Sequence, residues 1–300
     1  MNKYGKLTQV ESYHNVDKTV ADSFNQLLGV NVPGFFKGEC YSFVINKRRG
    51  VPHNIEDITE TEQALLETIY IGKCLTLEQI MIFMYLKGYK QSKTKIRRSL
   101  DKMVFHQIIQ RIDISENADE VTNKRKYYLV GEYTPCKKLG IPNVTMKKMF
   151  LLRKECGSKW PLYCTAMHII NQIALNQIIY NNTVNSFIIG EVRINRDYHL
   201  VMPLVLYSTN VATAFVFVTF MDAIRIGEII TKWEQYGKAH KKRIRLILIT
   251  RDDVQQLIVR RCVEAMKSDL LMIGYTDYKD WFINLKNQVY VKTSVNAIKA

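Results

Sequence analysis

Polar and apolar positions between residues 59 and 107 follow the spacing of three successive amphipathic helices. Apolar side chains recur there every three or four residues, in the segments TETEQALLETIYIGKC, TLEQIMIFMYLKGY and SKTKIRRSLDKMVFHQ. Thr59 with Glu62, and Thr76 with Gln79, have the spacing of a capping box, in which two side chains satisfy free backbone N–H groups. The pattern therefore predicts two marked helix starts and a third helix behind them.

The third predicted helix has an apolar face and a basic face. Its apolar side chains share one stripe at helical spacing: Ile96, Leu100, Met103 and Val104. A turn of about 100° per residue places Lys95, Arg98 and Lys102 together on the opposite face. Ser92 precedes the helix as a predicted N-cap. Such a helix packs through one side and presents cations on the other.

A predicted β-hairpin follows the three helices. Apolar residues alternate in Ile108–Ile114 and Tyr127–Val130, which favours two strands joined by the polar loop Glu116–Lys126. Three helices plus a hairpin is the element order of a winged helix-turn-helix, and we assign residues 59–133 to such a domain. In DNA-binding proteins of this type the last helix enters the major groove, while a basic hairpin tip touches the backbone.

Basic residues concentrate on the third predicted helix and at the end of the hairpin loop. Seven lysines and arginines lie between Lys87 and Lys102, against the acidic residue Asp101. This is the footprint of a surface that neutralises phosphates, although a solvated helix face beside a flexible loop has the same composition. We predict these DNA-binding residues: Ser92, Lys93, Thr94, Lys95, Arg97, Arg98, Lys102, Lys124, Arg125 and Lys126.

Composition and charge narrow the class of protein. The 300 residues favour about two domains. A net charge of +15 favours a polyanionic partner, although a basic membrane-associated protein would carry the same charge. The sequence has neither an uninterrupted apolar run long enough for a membrane helix nor a signal peptide at its start. Its six cysteines form no C-x-x-C pair, which argues against a zinc motif and fits a reducing compartment. We expect a cytoplasmic protein without membrane insertion.

The segments around the predicted winged helix are assigned more coarsely. Residues 1–58 are an unassigned N-terminal extension, in which the basic run Lys47–Gly50 is either a DNA-contacting arm or a solvated loop. Residues 134–160, with two prolines and a glycine near their start, are a predicted connector. Pro161–Asn181 has the wide apolar face of a longer helix, and its His168 is expected to be a packed or surface residue rather than a ligand.

From Ser186 onward the pattern changes to strands that alternate with helices. The runs SFIIGEVRI, YHLVMPLVLY and TAFVFVTF predict three strands, followed by a helix at Ala223–His240 and a buried strand at 244–250. A helix over 252–267, a strand over 270–275, a helix over 278–286 and a strand over 289–291 complete the chain. The order β-β-β-α-β-α-β predicts an α/β domain over 161–300, with helices covering a mixed sheet. It matches the restriction-endonuclease-like core, among other α/β folds.

The whole layout resembles the replication-relaxation family of plasmid and mobile-element proteins. The resemblance covers about residues 59–266 and rests on QIMIFMYLKGYKQSKTKIRRSLDKM, on AMHIINQIAL around His168, and on FVFVTFMDAIRIGEIITKWEQYGKAH. Asn195-Arg196-Asp197-Tyr198 stands where family members tend to carry Arg-Pro-Asp. The resemblance implies a winged helix followed by a nuclease-like α/β domain, and an association with plasmid replication, mobilisation or copy control through DNA contact.

The sequence departs from what a metal-dependent nuclease of this fold requires. Such an enzyme needs an Asp at the second strand and an acidic-x-Lys on the third, which together hold a divalent ion. Asp197 can supply the Asp of the second strand. The acidic-x-Lys of the third strand, however, is replaced by Val218, Thr219 and Phe220. Phosphate-loop, G-x-S-x-G and H-E-x-x-H motifs are also missing. We therefore predict a catalytically inactive domain, with no catalytic residue, no metal site and no cofactor.

A further basic cluster lies at a predicted helix-to-strand turn, and the sequence leaves its role open. It consists of Lys238, Lys241, Lys242, Arg243 and Arg245, around His240. Such a cluster either grips phosphates or forms the solvated end of the sheet.

These observations favour a sequence-specific double-stranded DNA-binding protein of a plasmid or mobile element. It would act in replication, transfer or transcriptional control, as a homodimer because winged helices often read two-fold-related half-sites, and with replication or transfer proteins as candidate partners. The first alternative is an active metal-dependent endonuclease with Asp197, Glu191 and a lysine such as Lys232 around the metal. The second is a non-catalytic scaffold that binds another protein.

Overall fold

The computed structural model describes a mixed α/β protein whose described residues fall into two compact units, with the boundary along the chain between Leu175 and Asn176. The described residues are 42–46, 58–115, 124–131, 134–135, 139–141, 143–154, 156–157, 160–180, 186–190, 193–194, 200–201, 203–207, 211–218, 221–241, 243–250, 253–265 and 271–277. The coarse prediction of helices combined with sheets is confirmed. No helix within these ranges is long and apolar enough to cross a membrane.

The first unit combines helices with a four-stranded antiparallel sheet. Its elements are β1 (Ser42–Asn46), α1 (Glu60–Gly72), β2 (Leu75–Thr76), α2 (Leu77–Leu86), α3 (Lys93–Phe105), β3 (Ile109–Ser115), β4 (Lys124–Val130), α4 (Asn143–Lys154) and α5 (Trp160–Tyr180). The strand order is β1-β3-β4-β2. The two-residue strand β2, which lies between α1 and α2 in the chain, therefore pairs with β4 on the side away from β3.

Both predicted capping boxes are present. The Glu62 amide donates to Thr59 Oγ1 at 3.3 Å, and the Thr59 amide donates to Glu62 Oε2 at 3.0 Å. The Gln79 amide donates to Thr76 Oγ1 at 3.3 Å, and the Thr76 amide donates to Gln79 Oε1 at 3.2 Å. Each box satisfies N–H groups that the first turn of a helix leaves free, which fixes where α1 and α2 begin.

The turn between α2 and α3 is a Schellman motif. Gly88 has φ +88° and donates from its amide to Tyr85 O at 2.8 Å, while the Tyr89 amide donates to Met84 O at 2.9 Å. Glycine adopts this left-handed conformation without steric cost, so it ends α2 sharply. Ser92 then accepts the Lys95 amide as the N-cap of α3, as the sequence predicts.

The hairpin has its predicted strands, with its second strand starting earlier than expected. β3 and β4 pair antiparallel, with Ile112 opposite Tyr127 and Ser115 opposite Lys124. The predicted loop extends to Lys126, whereas β4 begins at Lys124 because the pairing continues through the basic residues. Residues 116–123, which form the rest of the predicted loop, lie outside the described residues.

Helices α4 and α5 are anchored to the first unit by buried polar side chains. Asn171 Nδ2 donates to Gly72 O at 2.9 Å and to Cys74 O at 3.1 Å, at the end of α1. Arg153 donates to Val130 O at 3.2 Å and to Lys73 O at 3.1 Å. The predicted connector 134–160 therefore contains a helix that packs on this unit.

The boundary between the units also differs from the sequence-based one. The sequence predicts a second domain that begins at residue 161, whereas α5 belongs to the first unit as far as Leu175. His168 of α5 meets Tyr127 of the hairpin edge to face, and Asn171 donates to the end of α1. The buried residues of α5 include Tyr163, Cys164, Met167, His168 and Asn171.

The second unit is built on a five-stranded mixed sheet. Its elements are β5 (Ser186–Ile189), β6 (Arg193–Ile194), β7 (Leu200–Val201), β8 (Pro203–Tyr207), β9 (Val211–Phe217), α6 (Ala223–His240), β10 (Arg243–Thr250), α7 (Asp253–Glu264) and β11 (Leu271–Asp277). The strand order is β11-β10-β9-β8-β5: β9, β10 and β11 are parallel, while β8 is antiparallel to both of its neighbours. The order β-β-β-α-β-α-β is thus present in the main sheet.

Two of the predicted long strands are divided. SFIIGEVRI forms β5 and β6, and YHLVMPLVLY forms β7 and β8, because β6 and β7 pair with each other in a separate two-stranded sheet. Helices α6 and α7 cover one face of the main sheet, where Ile226 and Val259 meet Ala214 and Leu246 in a buried cluster. The predicted helix over 278–286 and strand over 289–291 lie outside the described residues.

Candidate nucleic-acid interface

Helix α3 presents its predicted basic face to solvent. Its opposite stripe is fully packed, since Ile96, Leu100 and Met103 are each no more than 1 % exposed. Thr94, Lys95, Arg97, Arg98 and Lys102 are all exposed. Lys95, Arg97 and Arg98 lie in the first two turns of α3, which begins at Lys93.

Two of the predicted DNA-binding lysines form ion pairs with other elements of the unit. Lys93 Nζ lies 3.2 Å from Glu78 Oε1 on α2, and Lys102 Nζ lies 3.0 Å from Glu62 Oε1 on α1. Both pairs fix α3 against the preceding helices. Within the described part of the chain, no carboxylate pairs with Lys95, Arg97 or Arg98. Among the cations of α3, the charge available to an outside ligand is therefore concentrated on these three side chains.

Glu62 is held as a carboxylate in a buried position. Its burial raises its pKa, but the hydrogen bond from the Thr59 amide and the charge of Lys102 outweigh this effect and leave the pKa below its ordinary value. A carboxylate whose pKa is lowered on folding stabilises the fold above its ordinary pKa, and this contribution is lost as the pH falls through the lowered value. At neutral pH Glu62 is therefore charged and attracts Lys102.

A charged cluster of mixed sign flanks the same helix. Arg111 on β3 makes a two-pronged contact with Asp113, at 2.9 and 3.2 Å, and lies 3.5 Å from Asp101 on α3. Its guanidinium is thereby engaged with carboxylates on both sides. Phe105, at the end of α3, leaves 48 % of its surface exposed, an apolar side chain beside the basic face.

The three cations at the start of β4 do not share one face. Lys124 and Lys126 are exposed, while Arg125 between them is half-buried, as the alternation of a strand requires. Arg125 hydrogen-bonds the side chain of the buried Tyr127, and one of its terminal nitrogens has no contact with solvent. Of the predicted wing residues, the two lysines have the exposure that a phosphate contact needs, whereas the arginine is directed into the unit.

His168 lies behind Arg125 in the core of the first unit. It is 5 % exposed, its ring meets Tyr127 edge to face at 6.0 Å, and its backbone oxygen accepts Gln79 Nε2 at 2.9 Å. Burial, with a further contribution from the charge of Arg125, lowers the pKa of His168 to about 3. The imidazole is therefore neutral at physiological pH, and of the two expected placements, packed or at the surface, the structure has the packed one.

The second unit offers no clustered metal ligands in its described residues. Groups of three or more His, Cys, Asp or Glu with metal-binding geometry are missing from the described ranges. Strands β8 and β9 have the sequences PLVLY and VATAFVF, without a carboxylate. Asp197, Thr219 and Phe220, on which the nuclease alternative depends, lie outside the described residues.

Sequence reasoning missed the acidic partners of the interface. Glu78 and Glu62 are recognisable in the sequence only by their place in helix starts, because the pairing of Lys93 and Lys102 with them depends on how three helices pack. The inward orientation of Arg125 was open to prediction, since it alternates with Lys124 and Lys126 along a strand. Comparison of the chain with models of protein families, with curated proteins and with solved structures finds no match.

Proposed function

We propose that this protein binds double-stranded DNA in a sequence-specific manner, through α3 and the start of β4. The observation that carries the proposal is the exposed set Lys95, Arg97 and Arg98, which lacks acidic partners within the described residues while Lys93 and Lys102 are paired. The order helix, short strand, helix, turn, helix and hairpin supports a winged helix-turn-helix. In that motif the helix after the turn lies in the major groove.

The arrangement assigns different roles to the cations. Arg98 lies at the centre of the exposed face of α3, opposite Leu100, and its planar guanidinium can donate two hydrogen bonds to a guanine edge. Lys95 and Arg97 flank it and suit phosphate contacts. Lys124 and Lys126 project from β4 as backbone contacts that position the protein without reading sequence.

The biological setting rests on the resemblance to the replication-relaxation family. It supports a role in plasmid or mobile-element replication, transfer or transcriptional control, carried out by a cytoplasmic homodimer on two-fold-related half-sites. The order of the second unit, with β8 antiparallel and β9, β10 and β11 parallel, supports a nuclease-like fold. The lack of carboxylates on β8 and β9 favours a domain that does not cleave DNA, over the alternative of an active endonuclease.

The test is binding by the full-length protein with Lys95 and Arg98 both replaced by alanine. Selection from a pool of random duplexes first yields the preferred sequence, and salt titrations then compare that duplex with a random one. The double variant should lower the dependence of log affinity on log salt by about one unit for each phosphate interaction that the substitutions remove. Removal of a base interaction should also reduce the preference for the selected sequence by about 1–3 kcal/mol.

The matched control removes two lysines from another helix of the same unit. Lys147 and Lys154 on α4 are exposed, and their double alanine variant has the same net charge as the α3 variant. It should bind like the parent. If the α3 variant binds as tightly as this control, or if selection yields no preferred sequence, the proposed function is wrong. The protein-scaffold alternative is favoured if no duplex binds at all.

A further inference from the structure

The second unit has a strongly basic stretch that the proposed role of α3 does not use. Residues 235–250 contain no aspartate or glutamate, whereas Lys238, Lys241, Arg243 and Arg245 are all exposed. The stretch runs from the last turn of α6 into β10. It is the basic cluster whose role the sequence leaves open, and Lys242 within it lies outside the described residues.

Strand β10 explains why its two arginines are exposed. Ile244, Leu246 and Leu248 point toward α6 and α7 and are buried, so the intervening residues lie on the other face of the sheet. On that face Ile247 and Ile249 are buried, but the two residues nearer the start of the strand are exposed, and these are Arg243 and Arg245. Their Cα atoms are about 6.6 Å apart, because a strand rises about 3.3 Å per residue.

The arginines stand on a rigid support. β10 is hydrogen-bonded to β9 on one side and to β11 on the other, with Arg245 opposite Thr213 of β9. Lys241, the C-cap of α6, has φ +51° and donates from its amide to Gly237 O and Lys238 O, which ends the helix at His240. A surface held on such elements loses little freedom when a ligand binds.

Local charge neutralisation does not account for this surface. Glu234 lies 2.9 Å from Lys238 on the same helix, which accounts for one cation. Lys238 also lies in the last turn of α6, where cations stabilise the negative end of the helix dipole. Arg243 and Arg245 belong to a strand, and no carboxylate of the described residues pairs with either of them. Their charge is therefore available to an outside anion.

The neighbouring surface favours a polyanion in water over a lipid bilayer. Of the large apolar side chains that the described part of this unit exposes, Ile188, Val254 and Leu257 are on other elements, and Ile224 is at the opposite end of α6 from Lys238. A protein that inserts into a membrane surface combines its cations with apolar residues of that kind. Arginine guanidinium groups bind phosphate oxygens through paired hydrogen bonds, and phosphates repeat along a nucleic acid.

We infer that Lys241, Arg243 and Arg245 form a second phosphate-binding surface, which takes the backbone of double-stranded DNA without reading its sequence. The inference deepens the proposed function and rests on it for the identity of the ligand. Under this inference, α3 selects the DNA site, and the surface on the second unit adds affinity that is independent of sequence and sensitive to salt.

The experiment uses the full chain with both arginines replaced, Arg243→Gln with Arg245→Gln. The control is Arg225→Gln with Lys232→Gln, which removes two cations from α6 of the same unit. Affinity for a random-sequence duplex is measured by fluorescence anisotropy over a range of salt. Removing two phosphate interactions should lower the slope of log affinity against log salt by about 1.8. Between about 50 and 200 mM salt the affinity of the variant should therefore fall by a factor about tenfold smaller than that of the parent.

Further arms separate this inference from the proposed function. If Lys95→Ala with Arg98→Ala has no effect on any duplex but the Arg243 and Arg245 variant weakens DNA binding, the second surface stands while the role of α3 fails. If the Arg243 and Arg245 variant matches its control on every duplex, the inference is overturned. It is also overturned if the variant loses binding only to vesicles that contain phosphatidylserine. A weakening confined to the selected sequence would show base reading and contradict the inference as well.

Discussion

Lys102 Nζ lies 3.0 Å from Glu62 Oε1, which joins the helix proposed to enter the major groove to the first turn of α1. Glu62 accepts the Thr59 amide with its other oxygen, so one carboxylate both caps α1 and holds α3. Its side chain is 6 % exposed, and that of Lys102 is 46 % exposed. The ammonium group is thus used partly to fix α3, although its position on the helix wheel places it on the DNA-facing side.

This pairing predicts that Lys102 and Lys95 respond differently to substitution. Lys102→Ala leaves a buried carboxylate with its cap hydrogen bond but without its cation, and should destabilise the unit by about 1 kcal/mol. Lys95→Ala should leave stability unchanged and lower the salt slope of DNA binding by about one unit. Urea unfolding and salt titration of both variants check this. Equal decreases of the salt slope would contradict the structural role of Lys102.

The start of β4 gives a second contrast between adjacent residues. Lys124→Ala with Lys126→Ala removes two exposed cations, and should weaken specific and random duplexes by similar factors, with a salt slope lower by about two. Arg125→Ala removes a guanidinium that contacts Tyr127, and should lower stability with little change of slope. Anisotropy titrations on both duplexes, combined with urea unfolding, measure each effect. If the single variant Arg125→Ala also lowers the salt slope of DNA binding, the Arg125 side chain contacts the DNA.

Local signals in the sequence are enough to predict the first unit's framework. The boxes at Thr59 and Thr76 act through side chains three residues away, and the N-cap Ser92 acts over the same distance. The apolar stripe of α3 is likewise a property of one helix. Each of these features depends on residues within one or two turns, so the spacing of residues determines them.

Contacts between distant residues could not be predicted in the same way. The ion pair of Lys102 joins residues forty positions apart, and the hydrogen bonds of Arg153 and Asn171 to the end of α1 span still longer separations. These contacts decide which cations remain available and which unit α5 belongs to. An apolar helix face does not specify its partner, which explains why the sequence alone places α5 in the second domain.

Burial of His168 predicts a pH-dependent stability of the first unit. In the unfolded chain the imidazole titrates near 6.5, whereas in the folded protein its pKa is lowered to about 3 by burial and by Arg125. Below pH 6.5 the unfolded chain therefore binds a proton that the folded protein does not, and stability falls with the pH. The contribution should amount to about 2 kcal/mol between pH 7.5 and pH 5.

Urea unfolding of the parent and of His168→Leu at these two pH values measures the effect. Leucine has no group that titrates, so the variant should lose this part of the pH dependence whatever its stability at pH 7.5. Two groups act on His168: the cation Arg125, and Tyr127, which meets its ring edge to face, whose pKa is raised by burial and which stays neutral over this range. The same difference between the two pH values in both proteins would show that the imidazole is not held neutral by the fold.

The last prediction concerns the second unit, which should bind DNA without cleaving it. Hydrolysis of a phosphodiester at a metal site requires carboxylates that converge on one point. The sequence-based assignment offers Asp197 and puts Thr219 where the third predicted strand needs an acidic residue, which leaves too few fixed oxygens to replace the water shell of Mg²⁺. Supercoiled and linear DNA should therefore remain intact with magnesium or manganese, at protein concentrations that saturate binding, as gel electrophoresis would show.

The control is Asp197→Ala purified in the same way, since a contaminating nuclease would act equally in both preparations. Metal-dependent nicking by the parent that disappears in Asp197→Ala would establish the endonuclease alternative.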